Sequence, residues 1–187
     1  VAHGSAIDFG CGVGRLLRPL AQRFQRVAGI DVSPTMLELS RRNLAEYDNV
    51  DLVRTPQDLL ARDERFDFVH SYIVIQHIRP QQGMPLIRQL VELTRPGGVF
   101  ALHFTIGDQK PMRRVLNRIR YRFKPAHWLY NVARRRKWNE SITEMNRYDM
   151  GAVLRELGPL VGERTAARYV DQNGHNSVIL YGQRASA

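Results

Sequence analysis

Asp8, Gly10, Gly12 and Gly14 stand at alternate positions in Asp8-Phe9-Gly10-Cys11-Gly12-Val13-Gly14, between Ala6-Ile7 and the helix-like Arg15-Leu16-Leu17. Glycine lets a backbone turn sharply and lets a ligand approach without interference from a Cβ atom. The end of a strand, a glycine turn and the start of a helix present free N–H groups, a chemistry suited to a phosphate or a carboxylate. A second acid, Asp31, closes the run Arg26-Val27-Ala28-Gly29-Ile30, one strand–helix–strand unit after Asp8. A carboxylate placed there accepts both hydroxyls of a ribose. Ser33 and Pro34 then suit the N-cap and first turn of the next helix.

The glycine spacing separates two kinds of nucleotide turn. A dinucleotide fingerprint reads G-x-G-x-x-G/A. Here the sixth position counted from Gly10 is Arg15, and the third glycine comes one residue early, at Gly14. The pattern D-x-G-x-G-x-G, with Gly29-Ile30-Asp31-Val32-Ser33-Pro34 and Met36-Leu37 in register behind it, resembles the class I S-adenosylmethionine-dependent methyltransferases. The resemblance covers residues 5–104 well and 149–183 more loosely. A nicotinamide-dependent oxidoreductase is disfavoured by the same spacing.

The resemblance implies S-adenosylmethionine as cofactor, held by Asp8, Gly10, Cys11, Gly12, Gly14, Arg15, Asp31, Val32 and Met36. Gln57, Asp58 and Ser71 complete the implied set. In related enzymes an acid after strand three receives the adenine amino group, and Asp58 fits that position. Taken alone, an Asp before Leu59-Leu60 is more often a helix cap. Residues 66–78 resemble the fourth motif of small-molecule and glycan-type members. They lack the Asp/Asn-Pro-Pro-aromatic motif of enzymes that methylate nucleobase amino groups. A cytosine-C5 enzyme needs a nucleophilic cysteine, whereas Cys11 lies in the cofactor turn.

Methyl transfer to a hydroxyl needs an acceptor held in line and a base to take its proton. His77, in the loop after strand four, is the candidate base, since imidazole titrates near neutrality. Gln76, His103 and His175 are weaker candidates for binding the acceptor. No group of acids suggests a magnesium site, so no metal is expected. A small-molecule or glycan acceptor, methylated at a sugar or other hydroxyl oxygen, is the function implied; an RNA-binding or RNA-modifying protein of the same fold is the alternative.

These residues need a frame that brings strand ends to one edge. Strand-like runs at 26–30, 50–54, 66–71 and 99–104 alternate with helix-like runs at 36–47, 59–62 and 84–93. Such alternation predicts a parallel sheet wound on both faces. A last helix over 149–157 and two strands at 164–169 and 177–183 follow, and strands so close pair as a hairpin. The resemblance implies a doubly wound, Rossmann-like α/β sheet of seven strands in the order 3-2-1-4-5-7-6. A single domain over 1–187 is expected, with the N-terminal helices of related enzymes missing from it.

Charge is unevenly spread. The 187 residues carry a formal net charge of +10. Residues 110–137 hold 11 Lys or Arg and no acid, leaving 17 basic against 18 acidic residues elsewhere. Met112, Val115, Leu116, Ile119 and Phe123 recur at helical spacing within this stretch. A basic, helical insertion at about 107–140 is therefore expected. It reads either as a solvated lid or as a surface for an anionic acceptor, a membrane surface or RNA. The single cysteine, Cys11, rules out an intramolecular disulfide, in keeping with a cytoplasmic protein. Oligomeric state has no signature in the sequence.

Overall fold

The computed structural model describes residues 3–108, 145–172 and 175–186. The expected basic insertion falls almost entirely outside them. In chain order the elements are β1 (His3–Phe9), α1 (Leu17–Ala21), β2 (Phe24–Ile30), α2 (Pro34–Asn43), β3 (Val50–Val53), α3 (Pro56–Leu60) and β4 (Phe66–Ser71). A 3-10 turn (Ile75–His77) leads to α4 (Pro80–Leu93) and β5 (Thr94–Asp108). Then come a helix labelled here α5 (Met150–Leu157), β6 (Val161–Gln172) and β7 (His175–Arg184). The seven strands form one sheet in the order β3-β2-β1-β4-β5-β7-β6. Strands β1 to β5 pair in parallel, and β7 runs antiparallel to both β5 and β6. This is the expected topology.

Helices cover both faces, each through its own apolar stripe. On one face Leu59 of α3, Ile87, Leu90 and Val91 of α4, and Val153 and Leu157 of α5 pack on Ile7, Phe9, Ile30, Val69, Phe100 and Leu102. On the other, Leu17 and Ala21 of α1 and Leu37 of α2 pack on Val27, with Cys11 and Leu44 beside them. Burying each large aliphatic side chain contributes about 1.5–3 kcal/mol. Local signals set where the helices begin. The Ser33 hydroxyl accepts from the Met36 amide at 3.3 Å with Pro34 in the first turn, and the Asp149 carboxylate accepts from the Ala152 amide at 2.7 Å.

Several boundaries differ from the sequence expectation. The helix expected over 36–47 stops at Asn43, because Leu44 leaves helical geometry at φ −114°. The helix expected from 84 begins at Pro80, where a residue without an N–H costs nothing. The turn at Pro96-Gly97-Gly98 lies inside β5 as a bulge: Thr94 pairs with Phe66, and Val99 with Phe68. The helix after the glycine turn is only five residues long and starts three residues beyond Gly14. No long helix dipole therefore stands directly behind this turn.

Register brings the ends of four strands together. Phe9 pairs with Ile30 and Ser71, and Ile30 pairs with Val53. The segments that follow, 10–14, 31–33, 54–58 and 72–77, thus leave the sheet at one edge, where open α/β sheets bind ligands.

Candidate active site at the strand ends

The glycine turn is built from backbone contacts. The amides of Gly10 and Cys11 both donate to the Ile30 carbonyl, at 2.7 and 3.1 Å. Gly10 and Gly12 have φ of +77° and +54°, in the left-handed region. The two glycines do different work. A Cβ on Gly10 would strike the Val74 side chain, so Gly10 allows the segment after β4 to close on the turn. Among the described residues, a Cβ on Gly12 would meet nothing within 4 Å. Gly12 therefore fronts open space, as a backbone that must let a ligand approach would.

Asp31 is set beside that space. Its Oδ2 accepts from the Gly12 amide at 3.0 Å and its Oδ1 from the Ser33 amide at 2.9 Å. Each carboxylate oxygen keeps a further lone pair for a ligand hydroxyl. Val32, 71% exposed, and Met36 stand next to it as bare apolar surface. A carboxylate, an open glycine backbone and an apolar shelf are the donor set that a nucleoside needs.

Other expected cofactor residues divide by what their side chains do. Asp8 is 3% exposed and lies 3.3 Å through Oδ1 from Nδ1 of His70. That contact engages one of its two carboxylate oxygens inside the sheet. The Cys11 side chain is buried in the core beside Leu17, and burial pushes its thiol up to about 12, with the Asp8 and Asp31 charges adding to this. The Cys11 backbone is engaged as well, its amide with the Ile30 carbonyl and its carbonyl with the Gly14 amide at 2.9 Å. Arg15 is exposed and lines a groove with Arg18 and Arg42, on the side of the turn toward the end of α2. Asp58 closes a capping box: its Oδ2 accepts from the amides of Arg54 and Thr55, at 3.1 and 2.8 Å. Those bonds, the Thr55 amide first, hold its carboxyl below the usual range. Thr55 is the N-cap and Asp58 the third helical residue, so Asp58 caps α3 from within its first turn, with one oxygen, rather than standing before the helix as its sequence suggested; Gln57 beside it is exposed. Ser71 is buried on the opposite face from Asp8, and its hydroxyl has no protein partner.

The candidates for acceptor chemistry separate more widely. His77 is exposed on the 3-10 turn. Gln76, next to it, is 1% exposed and cannot orient an acceptor. Its Oε1 accepts from the Thr105 hydroxyl at 3.4 Å, its Nε2 reaches Met145 Sδ at 3.6 Å, and its carbonyl accepts the Asn146 amide at 2.7 Å. Gln76 pins the chain that returns at residue 145. His175 pairs with Asp108, four residues from Ile179, the register partner of His103. At strand rise that is about 13 Å along β7 from His103. His103 is 0% exposed. Its Nδ1 accepts from the Ile73 amide at 3.3 Å, while its Nε2 has no partner among the described residues. Burial, and then the nearby His70, lower its pKa.

Sequence reasoning passed over His70 as a strand residue. The structure sets it in a row of rings, Phe24, Phe68, His70, Tyr72 and His103, with neighbouring centroids 4.9–6.3 Å apart. The signal was available: Phe68, His70 and Tyr72 alternate, so they share the face of Asp8.

The comparisons with known proteins bear on the family and on the fold that carries this edge. A family model described as a methyltransferase domain matches residues 6–98, from β1 into the bulge of β5. The chain belongs to the class I S-adenosylmethionine-dependent methyltransferases. The cofactor of this family is S-adenosylmethionine, and the Asp31–Gly12 cradle with Val32 and Met36 fits it. A ubiquinone biosynthesis O-methyltransferase of Methylobacterium sp. (strain 4-46) is 35% identical over 97 residues, covering 50% of this chain and 38% of that protein. A trans-aconitate 2-methyltransferase of Paracidovorax citrulli is 32% identical over 123 residues, 63% of this chain and 45% of that protein. The chain thus spans less than half the length of these two relatives. Among solved structures, magnesium protoporphyrin IX methyltransferase from Synechocystis, with bound SAH, aligns over 98% of this chain and 75% of its own. Its TM-score is 0.67 at 22% identity, a likeness of fold.

Proposed function

We propose that this chain binds S-adenosylmethionine at the strand-end edge and directs its methyl group to a hydroxyl of a small organic acceptor. The observation that carries the reading is the Asp31 carboxylate held between the Gly12 and Ser33 amides beside a glycine backbone open to solvent. S-adenosylmethionine supplies a methyl carbon on a positive sulfur, so the bond to be broken already has a good leaving group. The protein's part is to position and to deprotonate. Asp31 takes the ribose hydroxyls, Val32 and Met36 flank the base, and the Gly12 backbone allows close approach. The segment after β4 borders the acceptor. With the cofactor bound, the His77 imidazole would take the acceptor's hydroxyl proton as the oxygen is methylated. His77 suits this as an exposed histidine on that segment.

The names of the relatives, a ubiquinone biosynthesis O-methyltransferase and a trans-aconitate 2-methyltransferase, support a small-molecule acceptor, and the first of them supports oxygen as the atom methylated. They give no support to a glycan, and the basic stretch on which an RNA or membrane role rested lies outside the described residues. Calorimetry with S-adenosylmethionine, S-adenosylhomocysteine and NAD tests the cofactor reading. Binding of the first two and not the third is expected; binding of NAD alone would reject it.

A further inference from the structure

We infer that His103 is a positioning residue for the cofactor site, which accepts the Ile73 amide and thereby fixes the segment after β4 against the glycine turn. The inference rests on the cofactor reading above. It begins with a strained residue. Ile73 has φ +62°, a left-handed conformation that a β-branched side chain rarely adopts. Such strain persists only where the surroundings hold it. The holding contact is the bond from the Ile73 amide to His103 Nδ1, at 3.3 Å. The next residue, Val74, packs where a Cβ on Gly10 would lie. Gly10 opens the cofactor turn and shares the Ile30 carbonyl with Cys11. A continuous line of contacts therefore runs from His103 through Ile73 and Val74 to the turn that carries Gly12.

The clamp works in one protonation state. For Nδ1 to accept, the ring must be neutral with its hydrogen on Nε2. A second proton would aim a ring N–H at the Ile73 N–H and break the bond. The surroundings favour the neutral form. His103 is fully enclosed, with the Tyr72 ring 4.9 Å from its own. From β4 and the segment after it, the titratable groups facing it are His70 and Tyr72; Asp8 lies one step further, against His70. Its register partner on β7 is Ile179, and its neighbours on β5 are Leu102 and Phe104. Burial and His70 keep its pKa below the ordinary histidine value.

The test uses S-adenosylhomocysteine as probe, in calorimetry on the whole chain and two variants. His103→Leu removes the acceptor. His103→Asn restores an amide oxygen at about the place of Nδ1. At pH 7.5 the Leu variant is expected to bind about 3- to 10-fold more weakly than the wild type, the scale of one hydrogen bond. The Asn variant is expected to bind within about twofold of the wild type. Between pH 7 and 5 the wild-type affinity should fall, and the Asn variant should lack that part of the fall. Nitrogen NMR of the ring should show the Nε2–H tautomer at pH 7.5. An Nδ1–H tautomer, or equal affinities and equal pH profiles for all three proteins, overturns the clamp. If the Leu variant does not fold, the tautomer and the comparison of wild type with Asn decide. A wild-type chain that binds no S-adenosylhomocysteine overturns the cofactor reading and the clamp together.

Discussion

The Gly12 amide donates to Asp31 Oδ2 at 3.0 Å, tying the glycine turn after β1 to the acid after β2. This bond sets the carboxylate before any ribose arrives. The two motifs, nineteen residues apart in the chain, thus form one unit. Asp31→Ala removes both the ribose acceptor and the tether. The loss of charge-assisted bonds predicts about 2–4 kcal/mol weaker binding of S-adenosylmethionine. Asp31→Asn keeps the shape and one acceptor oxygen, so it should lose less. Calorimetry on the two variants checks the order; equal affinity for wild type and Ala would reject the ribose role.

The glycines of the turn should respond differently to a side chain. Gly12→Val places its branches in open space, so the fold should bear only the left-handed strain, about 1–2 kcal/mol. Cofactor binding should vanish, because that space is the ligand's. Gly10→Val drives a side chain into Val74 and should lower the melting temperature far more. Thermal melts with and without S-adenosylhomocysteine separate the two. A Gly12→Val chain still stabilised by the ligand would place the cofactor elsewhere.

Cys11 offers a chemical check on the turn's geometry. With burial pushing its thiol up to about 12, almost none is thiolate at pH 8. The native chain should react with a disulfide reagent at a rate set by opening of the fold, and the unfolded chain at once. Rapid labelling of the native protein would mean that the Cys11 side chain faces solvent, not Leu17.

Much of this was legible because it depends on local pattern. The alternation of apolar runs fixes a parallel sheet, and Asp31 at a strand end follows from its position after Ile30. What escaped depends on which way side chains turn. Gln76 and His77 are adjacent, yet the tight 3-10 turn buries the first against Thr105 and exposes the second. Nothing in the sequence around position 76 announces a partner 29 residues away. Asp8 lies in register with His70, a neighbour that its local sequence does not announce. The strain at Ile73 has no sequence signal, since isoleucine is among the least expected residues there.

Stability should depend on pH through His103. Its folded pKa is below the ordinary value of 6.5, so the unfolded chain takes up more protons between the two. Stability therefore rises with pH across that window. The contribution is complete above the unfolded pKa and is lost as pH falls through 6.5 toward the folded value. The melting temperature of wild type minus that of His103→Asn should decrease as pH falls from 7.5 to 5. A signed difference that increases toward acid would show that the folded state favours the charged ring.

The least guarded residue of the site is His77, and its role is the sharpest kinetic prediction. It lies on the 3-10 turn that follows Ser71, exposed and carried on the segment that borders the glycine turn through Val74. An alcohol keeps its proton at pH 7, so attack on the methyl carbon is slow unless a base removes that proton as the bond forms. General-base assistance is worth about 10²–10⁴-fold. His77→Ala should cut turnover by about that factor at saturating acceptor and leave S-adenosylmethionine affinity nearly unchanged. The pH–rate profile should also lose a rising limb near the histidine pKa. Because His77 is exposed, the variant should melt at the wild-type temperature, which separates lost chemistry from lost structure. Normal turnover in His77→Ala would assign the proton to another group. His103 is a poor substitute, since its Nδ1 is occupied by Ile73 and its ring is enclosed. An acceptor that ionises unaided, such as an acidic phenol or a carboxylate, would then fit better, for it needs positioning and no base.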